Sequence, residues 1–326
     1  MFKKTLAAVA VGMLAFGAQA AEFTAADGTV FQVNFEVLAE NVDTVSTAGA
    51  TTSTFKGDGQ IQLKATKKVS DDLSVFGQIE TDFDPVVDNA AAAADDMKIG
   101  IASKLYGTLT IGQFDSYMED NIAEAIGYWG HAKADAGVVE ATVGNDGRQI
   151  EYKHKFGDFV GALSFFQSNQ ISNTGAQSQG SAYVLGYVAN GLRVFVGQSY
   201  APRWLSDKWT ENTIKASTGA SIYYTFGSTT VSANAIRNET TWTTTTKYTD
   251  YSGLGVSHVM GPWDFGLAYQ MVNTDSNLAT GTNATQYALG VGYTIVKGTT
   301  AYFNMNSLGA DKGAANTTAI GIKAAF

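Results

Sequence analysis

From residue 29 onward the chain alternates apolar and polar positions with a period of two, the signature of half-exposed β-strands. The clearest stretches lie late. Trp263, Phe265, Leu267, Tyr269 and Met271 interleave with Asp264, Gly266, Ala268 and Gln270, and Tyr287, Leu289, Val291, Tyr293 and Ile295 interleave with Gln286, Ala288, Gly290, Gly292 and Thr294. Earlier, Thr29 to Ala39 sets Phe31, Val33, Phe35 and Val37 against Gln32, Asn34 and Glu36. Gly59 to Val69 sets Ile61, Leu63 and Ala65 against Gln60, Gln62, Lys64 and Thr66, and Leu73 to Asp82 follows. Tight turns fall at Ser70–Asp72, Tyr106–Gly107, Phe156–Asp158, Ala189–Gly191, Phe226–Ser228, Met260–Pro262 and Val296–Gly298. Between them lie open polar segments: Asn41–Phe55, Phe83–Ala94, about 115–145, Asn169–Gln179, Pro202–Asn212, Asn238–Thr245, Asp275–Thr282 and Gly309–Ala314. Seven tight turns alternating with eight open loops predict sixteen antiparallel strands.

Sixteen strands closed on themselves enclose far more volume than these side chains could fill, so the apolar rows cannot all point inward. The physical inversion is apolar outward against lipid and polar inward against water, a transmembrane β-barrel. Aromatics near the tight turns, Tyr106, Phe156, Phe159, Tyr187, Phe226, Trp263, Phe265 and Tyr293, fit an interfacial girdle. Residues 115–145 form one long insertion between two regular strands, and loops of that length are unusual unless they have work to do. With Glu119, Asp120, Glu124 and Asp135 set among aromatic and small residues, this segment is expected to fold into the barrel and narrow it.

Composition agrees with an exported membrane barrel. Residues 1–20 read as a secretory signal peptide: Lys3 and Lys4, an apolar run from Leu6 to Phe16, and Ala18-Gln-Ala20 before the expected cleavage. The barrel domain would then occupy 21–326. Without Lys3 and Lys4 there remain 19 Lys and Arg against 30 Asp and Glu, a formal charge of −11, which argues against nucleic acid as a partner. Cysteine is absent, so no disulfide holds the fold. No apolar run of helical-span length occurs in the mature chain, and the mean hydropathy is close to zero, as expected when only every second residue meets lipid.

The chain resembles the general diffusion porins of Gram-negative outer membranes. The likeness rests on the alternating end from Ala319 to a terminal Phe326, on Asp72 to Phe83, on Lys98 to Phe114 and on Arg148 to Phe159 running into an aromatic strand; loosely, it covers the whole mature chain. It implies a water-filled channel for passive diffusion of ions and small hydrophilic solutes. It also implies a homotrimer among outer-membrane lipids and lipopolysaccharide, Phe326 as the signal read by the barrel-assembly machinery, and no cofactor. The segment Phe83–Ala94 matches the loop that reaches a neighbouring subunit in trimeric members.

In that family the third external loop opposes its carboxylates to basic side chains on the wall. Carried over, the loop acids are Asp115, Glu119, Asp120, Glu124 and Asp135, and the basic wall is Lys64, Lys98 and Lys153. Arg148 joins the wall only if its place at the strand end frees it from the alternation with Ile150 and Tyr152. Gln32, Gln60, Glu80 and Gln113 complete the wall, with Gln60 and Gln113 where the family often has arginine. The Pro-Glu-Phe turn of enterobacterial members is absent. A weakly basic wall facing an acidic loop predicts mild cation preference.

Three other functions compete. A substrate-specific channel would share the barrel, with Tyr117, Tyr128 and Trp129 as a sugar-stacking track. A barrel enzyme would need a catalytic set, but His131, His154 and His258 are isolated and neither a Gly-x-Ser-x-Gly elbow nor a His-Glu-x-x-His motif occurs. An adhesin would show a repeat without the alternation of short turns and long loops. No metal site is expected.

Overall fold

A computed structural model describes residues 21–46, 49–84, 93–126, 128–129, 132–133, 148–167, 179–200, 213–242, 245–274, 284–308 and 316–325. The expected signal peptide, Asp135 and Phe326 lie outside the described residues.

Sixteen strands form one closed antiparallel sheet: β1 (Thr29–Val45), β2 (Thr51–Lys68), β3 (Leu73–Phe83), β4 (Ala93–Ser103), β5 (Gly107–Gln113), β6 (Arg148–Phe156), β7 (Phe159–Gln167) and β8 (Gln179–Ala189), then β9 (Leu192–Tyr200), β10 (Thr213–Phe226), β11 (Thr229–Trp242), β12 (Thr245–Met260), β13 (Trp263–Thr274), β14 (Ala284–Val296), β15 (Thr299–Leu308) and β16 (Asn316–Ala325). Each strand pairs with its sequence neighbours, and β16 closes on β1 from Asn316 opposite Val45 to Ala325 opposite Glu36. Closure leaves no open edge, which the hydrocarbon core of a bilayer requires of any sheet that crosses it. Where β16 stops, a short strand, Ala21–Thr24, continues that edge by pairing with Val30–Val33 of β1.

Parity sorts the two faces. On β13, β14 and β15 the buried row is Gly266, Ala268, Gln270, Gln286, Ala288, Tyr302 and Asn304, whereas Leu267, Tyr287, Leu289, Phe303 and Met305 stand exposed. The same holds around the barrel, with Leu63, Ile79, Ile99, Leu109, Ile150, Leu163, Leu185, Ile222, Leu254 and Ile320 all on the outer face. Exposed apolar side chains over the whole circumference are a liability in water and a requirement in lipid. Ring contacts run along the tight-turn rim, Phe156 to Phe159 at 6.0 Å, Phe159 to Tyr187 at 5.4 Å and Trp263 to Tyr293 at 4.7 Å.

Two segments expected to be open loops are strand instead. β1 and β2 pair as far as Val45 opposite Thr51, inside the stretch 41–55, and β11 and β12 pair as far as Trp242 opposite Thr245, inside 238–245. Both stretches are rich in Thr, and threonine is a good strand former. Their polarity marks strand that extends beyond the apolar band, not the end of the ladder. Similarly, β4 begins at Ala93, inside the stretch 83–94 that was expected to be open.

Candidate functional site

The long segment after β5 starts with a short amphipathic helix, α1 (Tyr117–Ile122), continued by a single 3₁₀ turn over Ala123–Ile126. Ser116 caps it: its hydroxyl accepts from the backbone N–H of Glu119 at 3.3 Å, the Ser-x-x-Glu spacing of a capping box. Met118, Ile122, Ala125 and Ile126 recur at helical spacing and are all nearly fully buried. Met118, Ile122 and Ala125 bury against inward residues of the wall in one apolar cluster with Val184, Phe195, Tyr223, Ile236, Tyr251 and Val272, from β8 to β13, and Ile126 packs over Gly253 of β12. Inward glycines make room: a Cβ at Gly219 or Gly253 would run into Ile122 or Ile126.

Polar contacts fix the same pose. Glu151 of β6, itself buried, accepts from the Tyr117 backbone N–H and from the Ser164 hydroxyl, both at 2.9 Å. The Gln149 amide donates to the Phe114 carbonyl. At the far end of the helix, where carbonyls lack intrahelical partners, the Ser221 and Tyr223 hydroxyls donate to the Asn121 carbonyl at 2.5 and 3.1 Å, and the Asn234 amide donates to the Ile122 and Ala123 carbonyls at 3.1 and 3.3 Å.

The opposite helical face carries Asp120 and Glu124, four residues apart and both exposed. Burial, then the neighbouring Glu124 and Glu151 carboxylates, push the Asp120 carboxyl up to about 7, against the pull of Lys98 and Lys153. Asp120 as a whole nonetheless keeps an exposed surface. Tyr117 is pushed up as well, mainly by burial, so its hydroxyl keeps its proton. Lys153 sits 4.9 Å from the Tyr117 ring, and Lys98 lies 5.4 Å from the Phe114 ring while pairing with Asp96 at 2.5 Å. Asp120, Lys98 and Lys153 thus meet around the first turns of the helix. Asp115 is exposed just before it and Glu119 is half-buried within it.

The register puts Gln32, Gln60, Lys64 and Glu80 on inward rows, where the Gln60 and Gln62 amides donate to the two Glu80 oxygens at 2.6 and 2.5 Å, Asn34 donates to Gln62 at 2.9 Å and Gln32 donates to Glu22 at 3.0 Å. Gln113 and Arg148 do not belong to this wall. They pair with each other and, through Gln113, with Met97, on the row of Leu109, Ile111 and Ile150, so both occupy the outer face at their strand ends. Strict alternation decides for Arg148, and Gln113 shares the outward parity of Ile111.

Several participants went unrecognised in the sequence. Arg193 is inward on β9, with its guanidinium 4.1 Å from the Tyr223 ring. Glu36 pairs with Lys323 at 2.6 Å, and Tyr302 donates to Glu40 at 2.8 Å. The wall from β1 to β4 together with β16 is therefore mixed and carries more acid than base: Glu36, Glu40, Asp58, Glu80, Asp82 and Asp96 share its inward rows with Lys56, Lys64, Lys98 and Lys323. Parity alone would have found all of these. The helix also had a signal, Ser116 followed by Glu119 ahead of Met118, Ile122 and Ile126.

The family described as Gram-negative porin matches residues 5–313. No match was found among the curated proteins. Among solved structures, the chain is similar to OmpF of Salmonella typhi in complex with daunomycin, with a TM-score of 0.75 at 13% identity over 94% of this chain and 100% of that one. It is also similar to the anion-selective porin from Comamonas acidovorans, with a TM-score of 0.70 at 15% identity over 91% and 100%. A loop L8 deletion mutant of OmpT, an outer membrane protein of Vibrio cholerae, gives a TM-score of 0.68 at 16% identity over 91% and 99%.

Proposed function

From the premise that this chain belongs to the Gram-negative porin family, and is an outer-membrane porin, we propose that it passes ions and small hydrophilic solutes by passive diffusion with a modest preference for cations. The observation that carries this reading is the acidic face of α1. Asp120 and Glu124 line the open side of a helix whose other side is held to the wall, and the facing β1–β4 wall adds more carboxylates than ammonium groups. In a narrow, low-dielectric throat such a balance raises the local concentration of cations. Lys98 and Lys153 oppose the acids across a short gap, so the field is partly transverse and the preference stays mild.

The mature chain is proposed to start near Ala21, after cleavage of residues 1–20, and to be inserted among outer-membrane lipids and lipopolysaccharide by the barrel-assembly machinery reading Phe326. It acts without a cofactor and without enzymatic chemistry. Homotrimerisation has two supports. One of the solved structures, OmpT of Vibrio cholerae, is described as a trimer form. Among the described strand positions that face outward, moreover, tyrosine and tryptophan stop at one sector, which keeps only Tyr106 in the turn between β4 and β5. Tyr152, Tyr183, Tyr187, Tyr224, Trp263, Tyr269, Tyr287 and Tyr293 cover β6 to β14, while β1–β5 and β16 present Val33, Val37, Leu63, Ile79, Ile99, Leu109 and Ile320. Interfacial tyrosine and tryptophan suit a headgroup region; strands without them suit contact with copies of the same chain.

The test is conductance of the purified, unheated protein in a planar bilayer across a potassium chloride gradient. Ohmic steps grouped in threes, with a reversal potential of cation sign, are expected. An anion-sign reversal potential would overturn the selectivity, and saturating block by one solute class would replace general diffusion by a specific channel.

A further inference from the structure

On the tight-turn side of α1, a cavity of about 340 Å³ opens between the wall and Tyr117. Lys104, Lys153 and Lys155 line it together with Thr108, over an apolar floor of Val160 and Val188. Thr108, Lys153, Lys155, Val160 and Val188 all occupy inward positions, so this side of the cavity opens to the lumen, while Ser103, Gly107 and His154 border it at the tight-turn rim. The ring of His154, which also borders it, is stacked outward between Tyr152 and Phe156 and takes no part. Among the described residues none of the three ammonium groups is ion-paired, and no carboxylate lines the cavity. Val188 pairs with Arg193, whose guanidinium adds a fourth cation beside the cavity, above Tyr223.

Three ammonium groups without an ion pair around one concave space, in a chain whose formal charge is −9, make an anion-attracting zone beside the acids of α1, which Lys153 also faces. We propose that this cavity is a subsite for a small oxyanion of the phosphate class, standing on the turn side of the acidic helix. Lys104, Lys153 and Lys155 supply point charges that hold phosphate oxygens without bidentate geometry. The Thr108 and Tyr117 hydroxyls supply neutral donors, and the Tyr117 proton is retained because burial raises its loss to higher pH. A phosphate-bearing solute crossing the barrel thus meets two zones of opposite sign in series, the acids of α1 and then the lysines beneath it. The inference goes beyond the channel reading and is tested without conduction.

Purified wild-type protein in a maltoside detergent, which contains no phosphate, is titrated with inorganic phosphate and followed by phosphorus NMR. Saturable broadening of the phosphate line is expected. It should persist in K64Q, which removes an inward lysine elsewhere on the wall, and be lost in K104Q/K153Q/K155Q at unchanged heat-modifiable mobility of the barrel. Equal broadening in the triple variant, or none with the wild-type protein, overturns the subsite.

Discussion

Asp120 is the residue whose state is set most clearly by its surroundings. An ordinary aspartate is charged from about pH 4 upward, but burial and the adjacent Glu124 and Glu151 move the change at Asp120 to about 7. The folded chain therefore holds this proton between about pH 4 and 7 where the unfolded chain does not, so helix packing weakens as pH rises through that window. Conduction has the opposite sense: the acid face of α1 gains a charge as pH rises. Reversal potentials measured from pH 5 to 9 should show cation preference increasing across a step centred near 7, and D120N should flatten that step. A second residue-scale expectation concerns Glu151. E151A leaves the Tyr117 N–H and the Ser164 hydroxyl without their acceptor. A buried donor stripped of its partner costs about 1–3 kcal/mol, here against the pose of α1 and not the whole barrel, so current traces should become noisier while the barrel's thermal unfolding moves little.

At the scale of elements, α1 is held by packing on one side and by donors to its orphan carbonyls at its end. Replacing both Ser221 and Asn234 with alanine removes the donors to Ile122 and Ala123 and one of the two to Asn121, leaving only the Tyr223 hydroxyl, and should raise single-channel conductance as the helix leaves the wall; an unchanged conductance would mean that apolar burial with the Tyr223 bond suffices. The hairpin between β8 and β9 turns on Asn190 at φ 51° and Gly191 at φ 79°, the paired left-handed conformations of a tight two-residue turn. A side chain at position 191 would also meet the Thr225 carbonyl. G191A should lower stability by about 1–2 kcal/mol, read as an earlier transition in urea unfolding monitored in lipid vesicles. Such turns were legible in the sequence because Gly and Asn have a backbone reason to be there. The upper ends of β1, β2, β11 and β12 were not, since Thr-rich strand outside the bilayer looks like loop when only hydrophobicity is counted. Helix α1 escaped for a related reason: six helical residues and one 3₁₀ turn with a single apolar stripe carry too little periodicity to stand out, although the Ser116–Glu119 box marks where the helix starts. The pore-wall candidates divide by parity, which Gln32, Gln60, Lys64, Glu80, Lys98 and Lys153 satisfy and Gln113 and Arg148 do not.

For the whole molecule, the outer surface is the largest structural commitment. An arginine at the bilayer midplane of a barrel costs about 2–4 kcal/mol, so L267R, in the middle of β13, should lose that much in vesicle-based unfolding while remaining trimeric on unheated gels. L63R, in the sector whose strands carry no outward tyrosine or tryptophan, should instead run as monomers. If both variants stay trimeric, the interface lies elsewhere on the circumference. Whether the acidic face of α1 lines the conducting path is directly accessible to test, because the chain contains no cysteine. A D120C variant, reconstituted in a planar bilayer and exposed to a charged methanethiosulfonate, reports whether position 120 meets the current. A cationic reagent should reduce potassium conductance in discrete steps and shift the reversal potential toward anions, while L267C on the lipid face stays silent. An unmodified current at D120C, with the thiol shown to have reacted, would contradict the placement of this helix at the throat.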